Sequence, residues 1–184
     1  MPYAKTDDGF EILMGTNHLG HFALVGHLIQ TLKKTPDSRV VVVSAGAHKS
    51  SKIDLDDLNW EKRKYSNFTA YADSKLANLY FAYELKRRLE SEGGNPTVTA
   101  AHPGWTTSEL QRGFVRFLNI FFGQSKEMGA LPTLRAATDG NVSSGDFSAR
   151  KIFLNCTAHQ LRSNQASGHM MPTRRKSFGR YLKN

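Results

Sequence analysis

Four consecutive β-branched residues, Val40, Val41, Val42 and Val43, constrain this chain more than any other feature. A strand that is apolar at every position, and not only at every second one, must be covered on both faces, as in a parallel sheet flanked by helices. Ser44, Ala45 and Gly46 end the run. A second short buried strand is expected over Val98 to Ala101, closed by His102, Pro103 and Gly104. Between the two runs a helical pattern covers 68–89, with Leu76, Leu79, Tyr80 and Tyr83 inward and Lys86, Arg87 and Arg88 near its C-terminus, where cations suit the helix dipole. Strand, helix and strand make a crossover unit with right-handed parallel pairing, so the fold class is α/β.

Residues 9–33 carry adjoining apolar stripes at 0, 3, 4, 7 spacing: Leu19, Phe22, Ala23, Gly26 and Val25, Leu28, Ile29, Leu32. They predict one helix buried on a broad face. A further helix is expected over 125–138, starting at Ser125 with Glu127 nearby and Gly140 just past its end. Residues 105–124, which include Phe114, Phe117, Ile120, Phe121 and Phe122, read as a mobile helical flap whose apolar face meets substrate. No internal repeat is present.

The chain has 184 residues, 39% of them hydrophobic, which suits one domain with a single core. Its net charge of +9 is concentrated at one end: residues 1–147 hold 17 Lys and Arg against 16 Asp and Glu, whereas residues 148–184 hold 8 basic residues and no acid. The tail also lacks helical or strand periodicity, so a boundary is expected near Phe147, with a basic, disordered segment beyond it. Cys156 is the only cysteine, which excludes an intramolecular disulfide framework and a multi-cysteine zinc site. No stretch approaches the roughly 18 apolar residues of a membrane span, and residues 1–11 lack a basic and then apolar signal, so a cytoplasmic protein without a transmembrane segment is expected.

Three motifs favour plain readings. His18 and His21 lie three apart on a helix but find no third ligand at suitable spacing, so packing or helix-surface roles are expected and no metal. Asp54, Asp56 and Asp57 mimic the start of a calcium loop, yet Asn59 stands where that loop needs Gly, and the three read as solvated. The sequons at Asn67, Asn141 and Asn155 matter only in a secreted protein.

In open α/β sheets ligands sit outside the carboxyl ends of the strands, which here means Ser44 and Pro103-Gly104. The intervening helix offers Tyr71 near its start and Lys75 four residues on, within one turn and on one face. A phenol with a pKa near ~10 is a poor base at neutral pH, and a neighbouring ammonium favours its ionised form. With a hydroxyl from Ser44 on the reacting oxygen and Tyr71 passing a proton, the arrangement calls for carbonyl reduction or its reverse. The spacing alone is weak, since chance gives about 0.4 such pairs in a chain of this composition. Its position is specific: this Tyr-x-x-x-Lys, found nowhere else in the chain, opens the crossover helix after a strand ending in Ser, and Pro-Gly follows the next strand.

These residues resemble the short-chain dehydrogenase/reductase superfamily, near its retinol dehydrogenase-like and WW-domain oxidoreductase-like branch. Four segments carry the resemblance: Thr16-Asn17-His18-Leu19-Gly20-His21-Phe22; Arg39 to Ser44 with Ala45-Gly46-Ala47-His48; Tyr71-Ala72-Asp73-Ser74-Lys75-Leu76-Ala77-Asn78; and His102-Pro103-Gly104-Trp105. It covers residues 1–147 almost continuously. The resemblance implies that Tyr71 is the acid–base residue, that Ser44 polarises the substrate oxygen, and that Lys75 holds the nicotinamide ribose and lowers the tyrosine pKa. Asn17 would anchor a proton-relay water, Pro103 and Gly104 would shape the nicotinamide pocket, and Ser108 stands where many relatives have Thr to meet the carboxamide. The cofactor implied is NAD or NADP, the substrate a small alcohol or carbonyl compound of retinoid, steroid or xenobiotic kind. A homo-oligomer is compatible with the family, and no specific nucleic-acid partner is expected.

Two departures qualify the resemblance. The family's glycine-rich turn after the first strand is absent, so the chain is expected to be the C-terminal part of a Rossmann-like doubly wound sheet, with its first βαβ units missing, reduced stability and impaired turnover. The tail departs after Phe147 from the family's Tyr-Gly-Pro and terminal Lys-Leu-Trp-like text. Residues 176–183 can be encoded so that a two-nucleotide shift reads Lys-Leu-Trp-Glu-Ile-Ser-Glu, and the same frame after Ser148 permits Gly-Pro-Lys-Asp-Phe-Phe-Glu-Leu. A frameshift near Ser148 is the expectation. The alternative to an impaired oxidoreductase is a non-catalytic fragment whose basic tail binds acidic partners.

Overall fold

The structure is a computed structural model that describes residues 2–104 and 125–149. Three parallel strands, β1 (Arg39–Val43), β2 (Thr97–His102) and β3 (Phe147–Ala149), lie in the order β1-β2-β3. Val40 pairs with Val98 and Val42 with Ala100, while Ala100 pairs with Phe147 and His102 with Ala149. The helices are α1 (Ile12–Met14), α2 (Gly20–Lys34), α3 (Asn67–Glu90) and α4 (Lys126–Thr138). The α/β class read from the valine run is therefore the fold, and α3 is the crossover between β1 and β2.

Alternation along the strands divides the side chains between two layers. Val40, Val42, Val98 and Ala100 join Leu79, Phe81, Ala82 and Leu89 of α3 in one core, against which Phe22, Val25, Ile29 and Leu32 of α2 pack. The other parity meets α4: Thr99 and Ala101 are buried, and Arg39 donates from Nη1 to the carbonyls of Ala136 at 3.1 Å and Asp139 at 2.9 Å. Coverage of β1 is incomplete at its carboxyl end, where Val43 is 39% exposed.

The N-terminal helix departs from the single broad-faced helix predicted over 9–33. Between α1 and α2 the chain makes a π-helical turn over Gly15–Leu19. Gly15 permits it, because a Cβ there would lie 2.7 Å from Thr6 Cγ2. Buried Glu11 closes the front end, accepting from Met14 N at 2.7 Å and from the Tyr65 hydroxyl at 2.9 Å. No residue of α2 is fully buried, and Leu24 and Leu28 are 55% and 45% exposed. The apolar face is narrower than its spacing predicts, because α2 lies on the sheet by one stripe and no described element covers the flank bearing Leu24 and Leu28.

The longest helix begins four residues before Tyr71, with Ser66 as its N-cap accepting from Thr69 N at 3.4 Å. At its far end Glu84 receives Arg87 and Arg88, which hold its carboxyl at about 2, the Arg87 hydrogen bond being the main cause. After α3, Asn95 donates from Nδ2 to the carbonyls of Leu32 at 3.2 Å, Lys33 at 3.2 Å and Thr35 at 2.8 Å, tying the loop before β2 to the end of α2. Ser38 completes the clamp: its hydroxyl donates to Leu32 O at 2.6 Å and its carbonyl accepts from Thr97 N at 3.0 Å. The helix predicted over 125–138 is α4, with Ser125 as N-cap accepting from Met128 N.

Candidate active site

The carboxyl ends of β1 and β2 carry the predicted residues. Tyr71 and Lys75, on successive turns of α3, are both half-buried, and the Lys75 ammonium stands 5.6 Å from the centroid of the Tyr71 ring. Among the described residues no carboxylate pairs with Lys75 and no group hydrogen-bonds the Tyr71 hydroxyl. Burial pushes the Tyr71 phenol up and the Lys75 amine down, so each is driven toward its neutral form. That reverses the direction expected for Tyr71: desolvation outweighs the ammonium, which lies over the ring and not against the oxygen.

Ser44 takes a different place from the one its position suggested. It shares the parity of Val40 and Val42, so it faces α3; its N–H donates to Ala101 O at 2.9 Å and its hydroxyl to the Lys75 carbonyl at 2.8 Å. It is 1% exposed. Ala45 follows in extended conformation (φ −145, ψ 155) and brings a methyl group, not a hydroxyl.

Asn17 sits in the π-helical turn and donates from Nδ2 to Ser74 Oγ at 3.1 Å; Ser74 in turn donates to the Tyr71 carbonyl at 2.8 Å. One residue on, His18 is buried between Phe22 and Phe81, with Nδ1 3.1 Å from Asn78 Oδ1. Desolvation lowers its pKa to about 4, so it is a packed neutral imidazole. His21 is exposed with Nδ1 on the Asn17 carbonyl. Asn78 also donates from Nδ2 to Val43 O at 3.0 Å. The extra residue of the π turn thus turns both Asn17 and His18 toward α3.

Two imidazoles flank the strand ends. His48, in the 3-10 turn after β1, meets the Ala45 carbonyl through Nδ1 at 2.6 Å, and His102 accepts the Gly104 N–H on Nδ1 at 3.2 Å. A carbonyl only accepts and an N–H only donates, so these bonds put the neutral His48 proton on Nδ1 and the neutral His102 proton on Nε2. Desolvation lowers the pKa of both rings. Gly104 has φ +80, which places Pro103-Gly104 in a turn that favours glycine. Ser108, the flap over 105–124 and the tail beyond Ala149 lie outside the described residues.

The loop before α3 is latched to the helix beside Tyr71. Asp73 is fully buried, and accepts from the Ser51 hydroxyl at 2.6 Å, Lys52 N at 3.0 Å and Arg63 Nη2 at 3.1 Å. Arg63 lies 3.6 Å from the Trp60 ring centroid and also reaches Asp57. Asp57, expected to be solvated, is buried and caps Glu61 N and Lys62 N; Asp54 and Asp56 are exposed. Asp73, Ser74 and Asn78 carry no role in the sequence reading beyond the segment they help to spell, and Arg63 none at all, although Tyr71, Ser74, Lys75 and Asn78 form a polar 0, 3, 4, 7 stripe on a helix otherwise read as buried. Among the described residues no group of three metal-ligating side chains occurs, and no helix is long and apolar enough to cross a membrane.

A parallel sheet with a Tyr-x-x-x-Lys crossover helix and a Pro-Gly turn at its carboxyl edge defines a Rossmann-like α/β scaffold. Similarity to known proteins narrows the class. The chain is 49% identical to human retinol dehydrogenase 13 over 111 residues, covering 60% of this chain and 33% of that protein. It is 44% identical to human retinol dehydrogenase 11 over 145 residues, covering 76% and 45%, and 51% identical to human retinol dehydrogenase 12 over 111 residues, covering 60% and 34%. A crystal structure of an uncharacterised protein from Mycobacterium paratuberculosis superposes with a TM-score of 0.71 at 35% identity, covering 99% of this chain and 62% of that one. No protein-family model matches. The chain belongs to the short-chain dehydrogenase/reductase superfamily, in its retinol dehydrogenase-like branch. It spans between a third and a half of the length of these curated relatives.

Proposed function

We propose that this chain carries the proton-transfer site of an NAD(P)-dependent oxidoreductase that interconverts an alcohol and a carbonyl compound of retinoid, steroid or xenobiotic kind. The observation that supports it most is the half-buried Tyr71–Lys75 pair at the carboxyl end of the sheet, with its ammonium 5.6 Å from the phenol ring. The Tyr71 hydroxyl, kept protonated by burial, donates a proton to the carbonyl oxygen in the reductive direction and recovers it from water. Asn17 spends its amide N–H on Ser74 and keeps its side-chain carbonyl for a water on that path.

A nicotinamide dinucleotide supplies the hydride when bound. The residues present fit its nicotinamide end: Lys75 is half-buried, has no carboxylate partner among the described residues and suits ribose hydroxyls, while Pro103 and the left-handed Gly104 turn the chain away at the strand end. Ser108 is assigned to the carboxamide by position in the sequence alone.

The test is turnover of retinaldehyde with NADH or NADPH by the purified chain and its Tyr71→Phe variant. Loss of about 100-fold or more in the variant with unchanged circular dichroism is expected. Equal turnover in the two proteins overturns the proposal. No turnover in either, together with salt-sensitive polyanion binding that disappears on deleting residues 148–184, replaces it with the binding-fragment alternative.

A further inference from the structure

We propose that Ser44, Ser74 and Asn78 are positioning residues that hold the Tyr71–Lys75 turn of α3 from two sides, and that Ser44 acts on the Lys75 backbone and not on a substrate oxygen. This rests on Tyr71 and Lys75 being the working pair. From the β1 side, Ser44 donates to Lys75 O at 2.8 Å and Asn78 donates to Val43 O at 3.0 Å, so the last residue of the strand and the one directly after it grip two successive turns of the helix. From the side of the π turn, Asn17 donates to Ser74 and Asn78 meets His18, and Ser74 passes the constraint to the Tyr71 carbonyl at 2.8 Å. All three positioning side chains are buried, with Ser74 at 0%, Ser44 at 1% and Asn78 at 3% exposure.

The chemistry of each bond fixes the direction of control. A helix-interior carbonyl normally serves one N–H; a second donor pins that peptide to the neighbouring strand and so fixes where the Lys75 side chain leaves the helix. A hydroxyl that donates into a buried carbonyl has its one proton committed and has none for a substrate oxygen. Ser74 likewise uses its proton on Tyr71 O and its lone pair on Asn17, which leaves no freedom for direct chemistry. Asn78 spends the amide nitrogen on the strand and the amide oxygen on an imidazole. Every polar atom in the stripe except those of Tyr71 and Lys75 is thereby bound inside the protein.

The test uses the full chain with Ser44→Ala, Ser44→Cys and Ser74→Ala, and reads the rate at which the Lys75 amine is acetylated by acetic anhydride near pH 8, by mass spectrometry. Ser44→Ala is expected to speed Lys75 acetylation severalfold relative to Lys86, Ser44→Cys, which keeps a weak donor, to fall between, and Ser74→Ala to act in the same direction. Unchanged Lys75 reactivity in folded Ser44→Ala and Ser74→Ala proteins overturns the proposal. Should Ser44→Ala fail to fold, Ser44→Cys and Ser74→Ala decide by the same criterion. If the chain turns over, Ser44→Ala is further expected to raise the cofactor KM and to lower kcat by one common factor for activated and unactivated aldehydes. A loss confined to unactivated aldehydes at constant cofactor KM makes Ser44 a substrate contact and overturns the proposal. Altered Lys75 reactivity in a chain without turnover supports the positioning role while refuting the oxidoreductase reading.

Discussion

α2 and α3 lie on the same face of the sheet, yet they are held in opposite ways. Twelve residues of α3 are buried, four of them polar or charged, and bonds tie it to the end of β1, to Ser44, to the π turn and to the loop before it. α2 has no fully buried residue and rests on one apolar stripe, with Asn95 clamping its C-terminus. Apolar periodicity alone predicts a similar fate for both. The difference shows that the helix bearing Tyr71 and Lys75 is fixed by directional bonds, whereas its neighbour is held by apolar contact area.

Substitutions can break that contrast. Phe81→Ala removes a buried ring of α3 packed against Phe22 and His18, and is expected to cost about 3–5 kcal/mol in urea denaturation. Asp73→Ala strips the partner from Arg63 and leaves Ser51 and Lys52 N without their acceptor; a loss of about 3 kcal/mol is expected, together with protease cleavage in the loop over 52–65. Tyr71→Phe, three turns before Phe81 on the same helix, is expected to leave the denaturation midpoint nearly unchanged, which separates the half-buried candidate-site face from the packed one.

Acid sharpens the comparison at the contact between the two helices. His18 has a folded pKa of about 4 against 6.5 when unfolded, so the unfolded chain binds the proton more readily between these values. Stability from its neutral form is full above pH 6.5 and falls as pH drops toward 4, by about 3 kcal/mol in all. Denaturation midpoints measured from pH 7 to 4 should show this slope, and His18→Asn should flatten it. The smallest effect is expected at Leu24→Gln on the open flank of α2, within about 0.5 kcal/mol of the parent. A large loss there would mean that this flank is covered in solution.

Strands β1 and β2 and helices α3 and α4 were legible to within one or two residues, because each is set by local apolar runs and by caps such as Ser125. Tyr71, Lys75 and the Pro103-Gly104 turn were legible for the same reason: their spacing within single elements puts them at the strand ends. The π turn was not, since it answers to a tertiary contact, the approach of Thr6 to Gly15. The place of Ser44 just past the strand was legible, whereas the direction of its hydroxyl depended on strand parity; counting from Val40 through Val42 points it at α3. Asp57 and Asp73 could not be told from exposed acids, because the cation that accompanies them, Arg63, comes from the loop between them and reveals itself only once that loop is folded.

The clamp made by Asn95 and Ser38 bears on the candidate site from the far end of the sheet. It fixes the entry of β1 and of β2 to one end of α2, and the register Arg39 to Thr97 begins immediately beyond it. Five residues later, about 16 Å away at the ordinary rise of a strand, the chain emerges as Ser44 on one strand and His102 on the other. The amino edge is thus a datum from which the heights of the two loops beyond the strands are measured, although Asn95 itself touches neither loop.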